Sequence, residues 1–195
     1  MPWRRRDAEL PPLLRLDRLV AGHLHPVTRP IDLELGRGEI IGLFGPNGVG
    51  KSTLLATLLG TARIHAGELW RADGLRLRYL PQRPERPGDA PISGHEFLAW
   101  LDARRLDPPQ RLAACLDRRI DHLSGGEFQL LCLWATLAGD ADLVLLDEPT
   151  NHLDCAHVEL AAEELAAGQE QRGTLLVSHD IEFLHRVSTH LVHLQ

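Results

Sequence analysis

Of the 21 basic side chains only one is lysine, Lys51, and the rest are arginine. That lysine falls inside Gly45-Pro46-Asn47-Gly48-Val49-Gly50-Lys51-Ser52, followed by Thr53. The string fits GxxxxGK[ST] and lies between an apolar run and a segment of helical composition, the context that marks a phosphate-binding loop. Its glycines let backbone N–H groups turn toward an anion, and a helix starting at Lys51 adds the positive end of its dipole. A compact ammonium on a flexible stem suits such a cradle where a planar guanidinium does not fit. Lys51 is then placed to reach terminal phosphates, and Ser52 offers a hydroxyl to Mg2+.

Two acids, Asp147 and Glu148, follow the wholly apolar Leu-Val-Leu-Leu at 143–146. A strand that apolar belongs in the middle of a parallel sheet, where ligands bind at the carboxyl ends of the strands. Asp147 is expected in the Mg2+ shell, and Glu148 is expected to polarise a water for attack on a terminal phosphate. His179 closes Leu-Leu-Val-Ser-His at 175–179 at the equivalent edge. Alone it would read as structural; beside the other elements it reads as a contact to the same phosphate. Leu123-Ser124-Gly125-Gly126-Glu127 reads locally as a capping box, Ser124 as N-cap and Glu127 three residues on. A capping box does not need two glycines, which cost helix propensity. The second reading is a helix N-terminus that backbone or phosphate approaches closely, and with one phosphate loop already present it makes most sense if two copies pair head to tail.

These groups need an α/β scaffold. Strands are expected at residues 38–44, 143–146, 174–177 and 190–194, and helices at 51–59, 124–138, 155–167 and 181–187. Residues 68–80 read as a pair of short strands turning at Asp73-Gly74. Residues 83–122 carry five prolines before Gln110 and two amphipathic candidates, 95–105 and 109–119, and are expected to form an inserted helical lobe. A length of 195 residues gives one domain. A net charge of −6, 44% hydrophobic and 25% charged residues describe a soluble globular protein and argue against a nucleic-acid partner. Three cysteines, Cys115, Cys132 and Cys155, are too few and too dispersed for a disulfide framework or a zinc site. The charged start, residues 1–10, has no apolar stretch behind it to serve as a signal peptide, and no run of about 18 apolar residues exists, so a cytoplasmic protein is expected. Eleven histidines are spread along the chain and read as solvated or core residues rather than as a metal site.

GPNGVGKST at 45–53, Gln82 in YLPQ, LSGGE at 123–127, LVLLDEP at 143–149, NHLD at 151–154 and LLVSHD at 175–180 occur in this order. Through them the chain, from about 13 to 194, resembles the ATP-binding cassette (ABC) ATPases. The resemblance implies an α/β P-loop fold with a mainly parallel core sheet, a short antiparallel segment and a helical subdomain at 83–122 that docks on membrane subunits. It implies ATP and Mg2+ as ligands, with Gly45, Pro46, Asn47, Gly48, Val49, Gly50, Lys51, Ser52 and Thr53 around the phosphates and Ser52, Gln82 and Asp147 around the metal. Glu148 and His179 would be catalytic. Ser124, Gly125, Gly126 and Glu127 would grip the nucleotide of a second copy, and Asp154 would lie on the loop coupling the two sites.

Three departures stand out. No aromatic residue upstream of the glycine loop is available to stack on adenine, leaving His23 or His25. Leu130 and Leu131 occupy the stretch where the family usually has an arginine. The chain stops just after a strand, so no regulation through a C-terminal helical extension is expected. Within the family a single cassette resembles the ATPase subunit of a multi-chain transporter, with a polytopic permease and a substrate-binding protein as further partners and a peripheral place on the inner face of the cell membrane. The short interval from Lys51 to Gln82 and the sequence around Leu77-Arg-Tyr-Leu-Pro-Gln82 look most like zinc or manganese importers. The alternative is the translation-factor class, ABC-F-like ATPases acting on the ribosome, which Thr150-Asn-His-Leu-Asp154 resembles.

Overall fold

The computed structural model describes residues 11–88, 91–103, 108–167 and 169–195; the charged start at 1–10 lies outside them. Five strands form a parallel sheet in the order β5-β6-β7-β3-β8, with β3 Ile40–Phe44, β5 Leu77–Leu80, β6 Leu143–Asp147, β7 Gly173–Val177 and β8 His190–His193. A second, antiparallel sheet has the order β2-β1-β4, with β1 Leu14–Gly22, β2 Ile31–Leu35 and β4 Arg63–Arg71. Helices α1 Lys51–Leu58, α4 Gly125–Leu137, α5 Cys155–Ala167 and α6 Ile181–Val187 pack around the parallel sheet. Two short helices, α2 Gly94–Trp100 and α3 Ala113–Leu116, lie between β5 and α4.

Alternation along the central strands divides the core into two layers, because successive side chains leave a strand on opposite faces. Val144, Leu146 and Leu176 join Leu131, Leu160 and Phe183 from α4, α5 and α6. Leu143, Leu145, Leu175 and Val177 join Leu54, Leu55 and Leu58 of α1 and the inner faces of β1 and β2. Both faces of β6 and β7 are therefore covered, which explains why these strands read as continuous apolar runs. Phe128 through Leu137 of α4 are all buried, which explains why this stretch is apolar apart from Gln129 and Thr136.

The expected pairing within residues 68–80 is not what forms. β4 starts earlier, at Arg63, and pairs antiparallel with β1, whereas β5 crosses into the parallel sheet beside β6. Asp73-Gly74 is a turn between two sheets. The helical lobe is more broken than its pattern suggests: α2 ends at Trp100, and 109–119 resolves into a 3-10 turn at Gln110–Leu112 followed by the single turn of α3. The last part of the expected 95–105 helix, residues 104 and 105, lies outside the described residues. Two thiols, Cys115 and Cys132, are buried and the third, Cys155, is exposed; burial pushes the Cys132 thiol up to about 12.

Candidate functional site

Four parallel strands deliver the site from their carboxyl ends. β3 leads into the glycine loop, β5 into Gln82, β6 into Asp147 and Glu148, and β7 into Ser178 and His179. A cavity of about 330 Å³ opens there, lined by Asn47, Gly48, Gly50, Lys51, Ser52, Thr53, Gln82, Asp147 and Glu148, with Val27 and Val177. Residues more than 100 positions apart in sequence thus converge at one edge, as expected of an open parallel sheet.

The glycine loop can only be built with glycine at its two ends. Gly45 has φ +151° and an added Cβ would lie 2.4 Å from the Leu194 carbonyl oxygen, while Gly50 has φ +101° and would meet Thr28 at 2.5 Å. Thr28 is itself pinned, its hydroxyl accepting from the Ala21 N–H at 2.8 Å. Lys51 folds back over the loop, its Nζ donating to the Gly45 and Pro46 carbonyls at 2.8 and 3.1 Å. The ammonium is therefore held over the loop by two backbone acceptors.

Asp147 is 4% exposed and its Oδ1, among the described residues, has no hydrogen-bond partner. Burial raises its carboxyl above the usual carboxylate range, opposed by a hydrogen bond from Ser52 and the charge of Lys51 and reinforced by Glu148. A buried carboxylate with a free oxygen next to a serine hydroxyl is a fitting donor set for a hard divalent cation such as Mg2+.

Glu148 stands in the left-handed region, φ 51°, which costs a non-glycine residue about 1–2 kcal/mol and is concentrated at functional positions. Its N–H donates to the Val177 carbonyl at 2.9 Å, so β7 holds the turn. The side chain of Glu148 is 10% exposed, and Oε2 accepts from the His179 N–H at 3.2 Å and lies 2.8 Å from His179 Nδ1. His179, with a side chain 68% exposed, reaches from the buried glutamate toward solvent.

Ser124 to Glu127 and Asp154 do not line this cavity. Both arms of the capping box form: the Glu127 N–H donates to Ser124 Oγ at 3.1 Å and the Ser124 N–H to Glu127 Oε2 at 2.6 Å. The backbone N–H of Ser124, then Arg118 and the Ser124 hydroxyl, hold the Glu127 carboxyl below its usual range despite partial burial. The two glycines do different things. Gly126 packs on the loop after β6, where a Cβ would lie 3.0 Å from the His152 carbonyl oxygen, whereas Gly125 faces open space. The loop itself is bound to α4 through Gln129, whose Nε2 donates to the Pro149 carbonyl at 3.4 Å. Asp154 caps α5, accepting from the His157 N–H at 2.9 Å and lying 3.0 Å from its Nδ1.

His23 and His25 are exposed on the loop after β1 and neither lines the cavity; the residue of that loop that does is Val27. An aliphatic side chain before the glycine loop carries no signal of its own in the sequence, which is why the expectation fell on the histidines.

The ABC transporter family profile matches residues 28–151. The zinc import ATP-binding protein ZnuC of Paracoccus denitrificans is 38% identical over 179 residues, covering 86% of this chain and 69% of that protein. ZnuC of Cereibacter sphaeroides is 37% identical over 195 residues, covering 89% and 78%. Among solved structures, an ATP binding subunit of an ABC transporter superimposes with a TM-score of 0.81 at 25% identity, covering 94% of this chain and 86% of that one. The archaeal ribosome recycling factor aABCE1, solved with the ribosomal stalk protein aP1, gives 0.79 at 30% identity, but the likeness spans 39% of its chain. With the family profile covering well over half of a chain whose strand ends assemble a glycine loop, a buried aspartate and a strained glutamate, this chain belongs to the ABC transporter family, as an ATP-binding subunit that hydrolyses ATP.

Proposed function

We propose that two copies of this chain pair head to tail, bind ATP and Mg2+ between them, and drive a membrane permease that imports zinc or manganese. The observation that carries the site is the convergence of Lys51, Ser52, the buried Asp147 and the Glu148–His179 pair on one strand edge. What favours the metal cargo is the likeness to the zinc import proteins over most of the chain. The ribosome-acting alternative has weaker support, since a single cassette here matches well under half of the recycling factor.

In this reading Gly45 to Thr53 cradle the phosphates and Lys51 leaves its two carbonyls for the terminal phosphate. Ser52, Gln82 and Asp147 hold Mg2+, which when bound neutralises charge on the phosphate oxygens. Glu148 accepts a proton from the attacking water, and His179 fixes the carboxylate and contacts the terminal phosphate. Ser124, Gly125, Gly126 and Glu127 of the second copy close over the nucleotide, and Asp154 lies on the loop between the two sites. Residues 83–122 form the helical subdomain that docks on the permease, with a substrate-binding protein completing the system. No helix among the described residues is long and apolar enough to cross a membrane, which suits a cytoplasmic subunit held peripherally at the inner face.

The test is a pull-down of tagged Glu148→Gln protein from detergent-solubilised native cells with ATP and Mg2+, with partners identified by mass spectrometry. Recovery of a polytopic membrane protein is the expected result. Ribosomal proteins without a membrane subunit would overturn the transporter reading.

A further inference from the structure

Arg86 is exposed, yet both terminal nitrogens of its guanidinium are engaged. Nη2 donates to the Leu123 carbonyl at 2.7 Å and the Ser124 carbonyl at 3.1 Å, Nη1 donates to the Asp121 carbonyl at 3.2 Å, and the group lies 4.9 Å above the Phe128 ring centroid. Phe128 is buried and packs against Phe97 of α2 at 5.6 Å. One side chain thus pins the start of α4 from outside that helix.

The two nearest carbonyls matter most. Leu123 O and Ser124 O belong to the two planar peptide units that flank the Ser124 Cα, so fixing both fixes the backbone of Ser124, which stands at φ −61° and ψ 167°. The Gly125 N–H shares the peptide plane of Ser124 O, and Gly125 faces open space. Together with the capping box, Arg86 therefore fixes the orientation in which this chain presents Ser124 and the first N–H of α4. At its other end the link is short. Arg86 lies four residues after Gln82, which lines the nucleotide cavity, and the intervening Pro84 stiffens the connection.

We propose that Arg86 is a positioning residue for the paired reaction, tying the Gln82 segment at the chain's own nucleotide cavity to the Ser124 backbone that it offers to the nucleotide of a second copy. The inference rests on the head-to-tail reading above. The planar guanidinium reaches three carbonyls from its two terminal nitrogens while lying over an aromatic ring; a lysine supplies a point charge that can satisfy one or two of the carbonyls but not the stack. Displacement of groups around a reacting centre by about 1 Å costs roughly a hundredfold in rate, so loss of the fork is expected in pairing and turnover and not in nucleotide capture by the single chain.

The experiment compares Glu148→Gln, Glu148→Gln/Arg86→Ala and Glu148→Gln/Arg86→Lys, reading ATP affinity of the single chain at low protein concentration and ATP-dependent dimerisation by light scattering. Turnover is measured for Arg86→Ala and Arg86→Lys with Glu148 intact. The expected result for Arg86→Ala is ATP affinity within about twofold of the parent, dimer affinity at least roughly tenfold weaker, and kcat down roughly tenfold to a hundredfold with KM nearly unchanged, Arg86→Lys falling between the two. Unchanged dimerisation and kcat in Arg86→Ala overturn the proposal alone. ATP affinity falling in step with dimerisation also overturns it, because that is the mark of general unfolding. Absence of an ATP-dependent dimer in Glu148→Gln with Arg86 intact removes the paired reading and this proposal with it.

Discussion

Glu148 and His179 are joined twice: Oε2 of the glutamate accepts the backbone N–H of His179 at 3.2 Å and lies 2.8 Å from its Nδ1. The carboxylate is thereby aimed by a residue two positions beyond the end of β7, while the backbone of Glu148 is held by Val177, the last residue of that strand. Replacing His179 with alanine removes the imidazole contact and keeps the backbone one. Turnover is expected to fall about tenfold to a hundredfold, the span over which positioned acid–base groups act, with ATP affinity nearly unchanged. Steady-state kinetics beside equilibrium ATP binding checks this; a parallel loss of affinity would assign His179 to nucleotide capture instead.

Lys51→Ala acts on the earlier step. Its ammonium is the cation poised over the glycine loop, and losing a charge-assisted contact of about 1.5–3 kcal/mol corresponds to roughly tenfold or more in affinity. Titration with ATP measures the change, and an unaltered dissociation constant would contradict the phosphate-loop assignment.

Gly125 and Gly126 separate stability from pairing. Alanine at Gly125 meets nothing within 4 Å and gains helix propensity, so the melting temperature is expected to hold or rise by the equivalent of up to about 1 kcal/mol while ATP-dependent dimerisation weakens. Alanine at Gly126 must displace the His152 carbonyl at 3.0 Å, and both stability and dimerisation are expected to fall. Thermal unfolding with light scattering distinguishes the two; an unimpaired dimer in Gly125→Ala would place the second-copy contact elsewhere.

Asp142 carries a different kind of prediction. Hydrogen bonds from Arg76 and then from Arg37 hold its carboxyl well below the usual carboxylate range, against the pull of burial. A folded-state pKa below the unfolded value gives stability that is complete above about pH 4 and is lost as pH falls through the depressed pKa. Asp142→Asn is expected to cost about 1–3 kcal/mol at pH 7, or several degrees in melting temperature, and the gap between parent and variant should close progressively below about pH 4. A gap independent of pH would mean that the charge is not the source.

Much of the site was legible because its parts are local. Each of the glycine loop, the acid pair, the capping box and His179 follows directly on an apolar run or opens a helix, so composition alone sets it at a strand end or helix start. What was not legible is non-local. Asp73-Gly74 announces a turn, but nothing near it says that the strand before pairs with β1 and the strand after with β6. β1 was also hidden, because Arg18 at φ 46° breaks its alternation and shifts its register. Arg86 is one arginine among many in a proline-rich stretch, and its importance lies in carbonyls 35 to 38 residues away. Val27 escaped notice because a valine on a loop has no chemical signature until the cavity behind it is seen.

The most direct test of the paired mechanism mixes two inactive variants. Lys51→Ala spoils the glycine loop and Ser124→Arg the surface offered to the other copy, so each protein alone should lack turnover. A head-to-tail mixed dimer contains one site in which both halves are intact, and equal mixing should restore ATP hydrolysis to roughly a quarter of the parent rate. A mixture that stays inactive, while each variant keeps its fold and Ser124→Arg still binds ATP, would contradict a site shared between two copies.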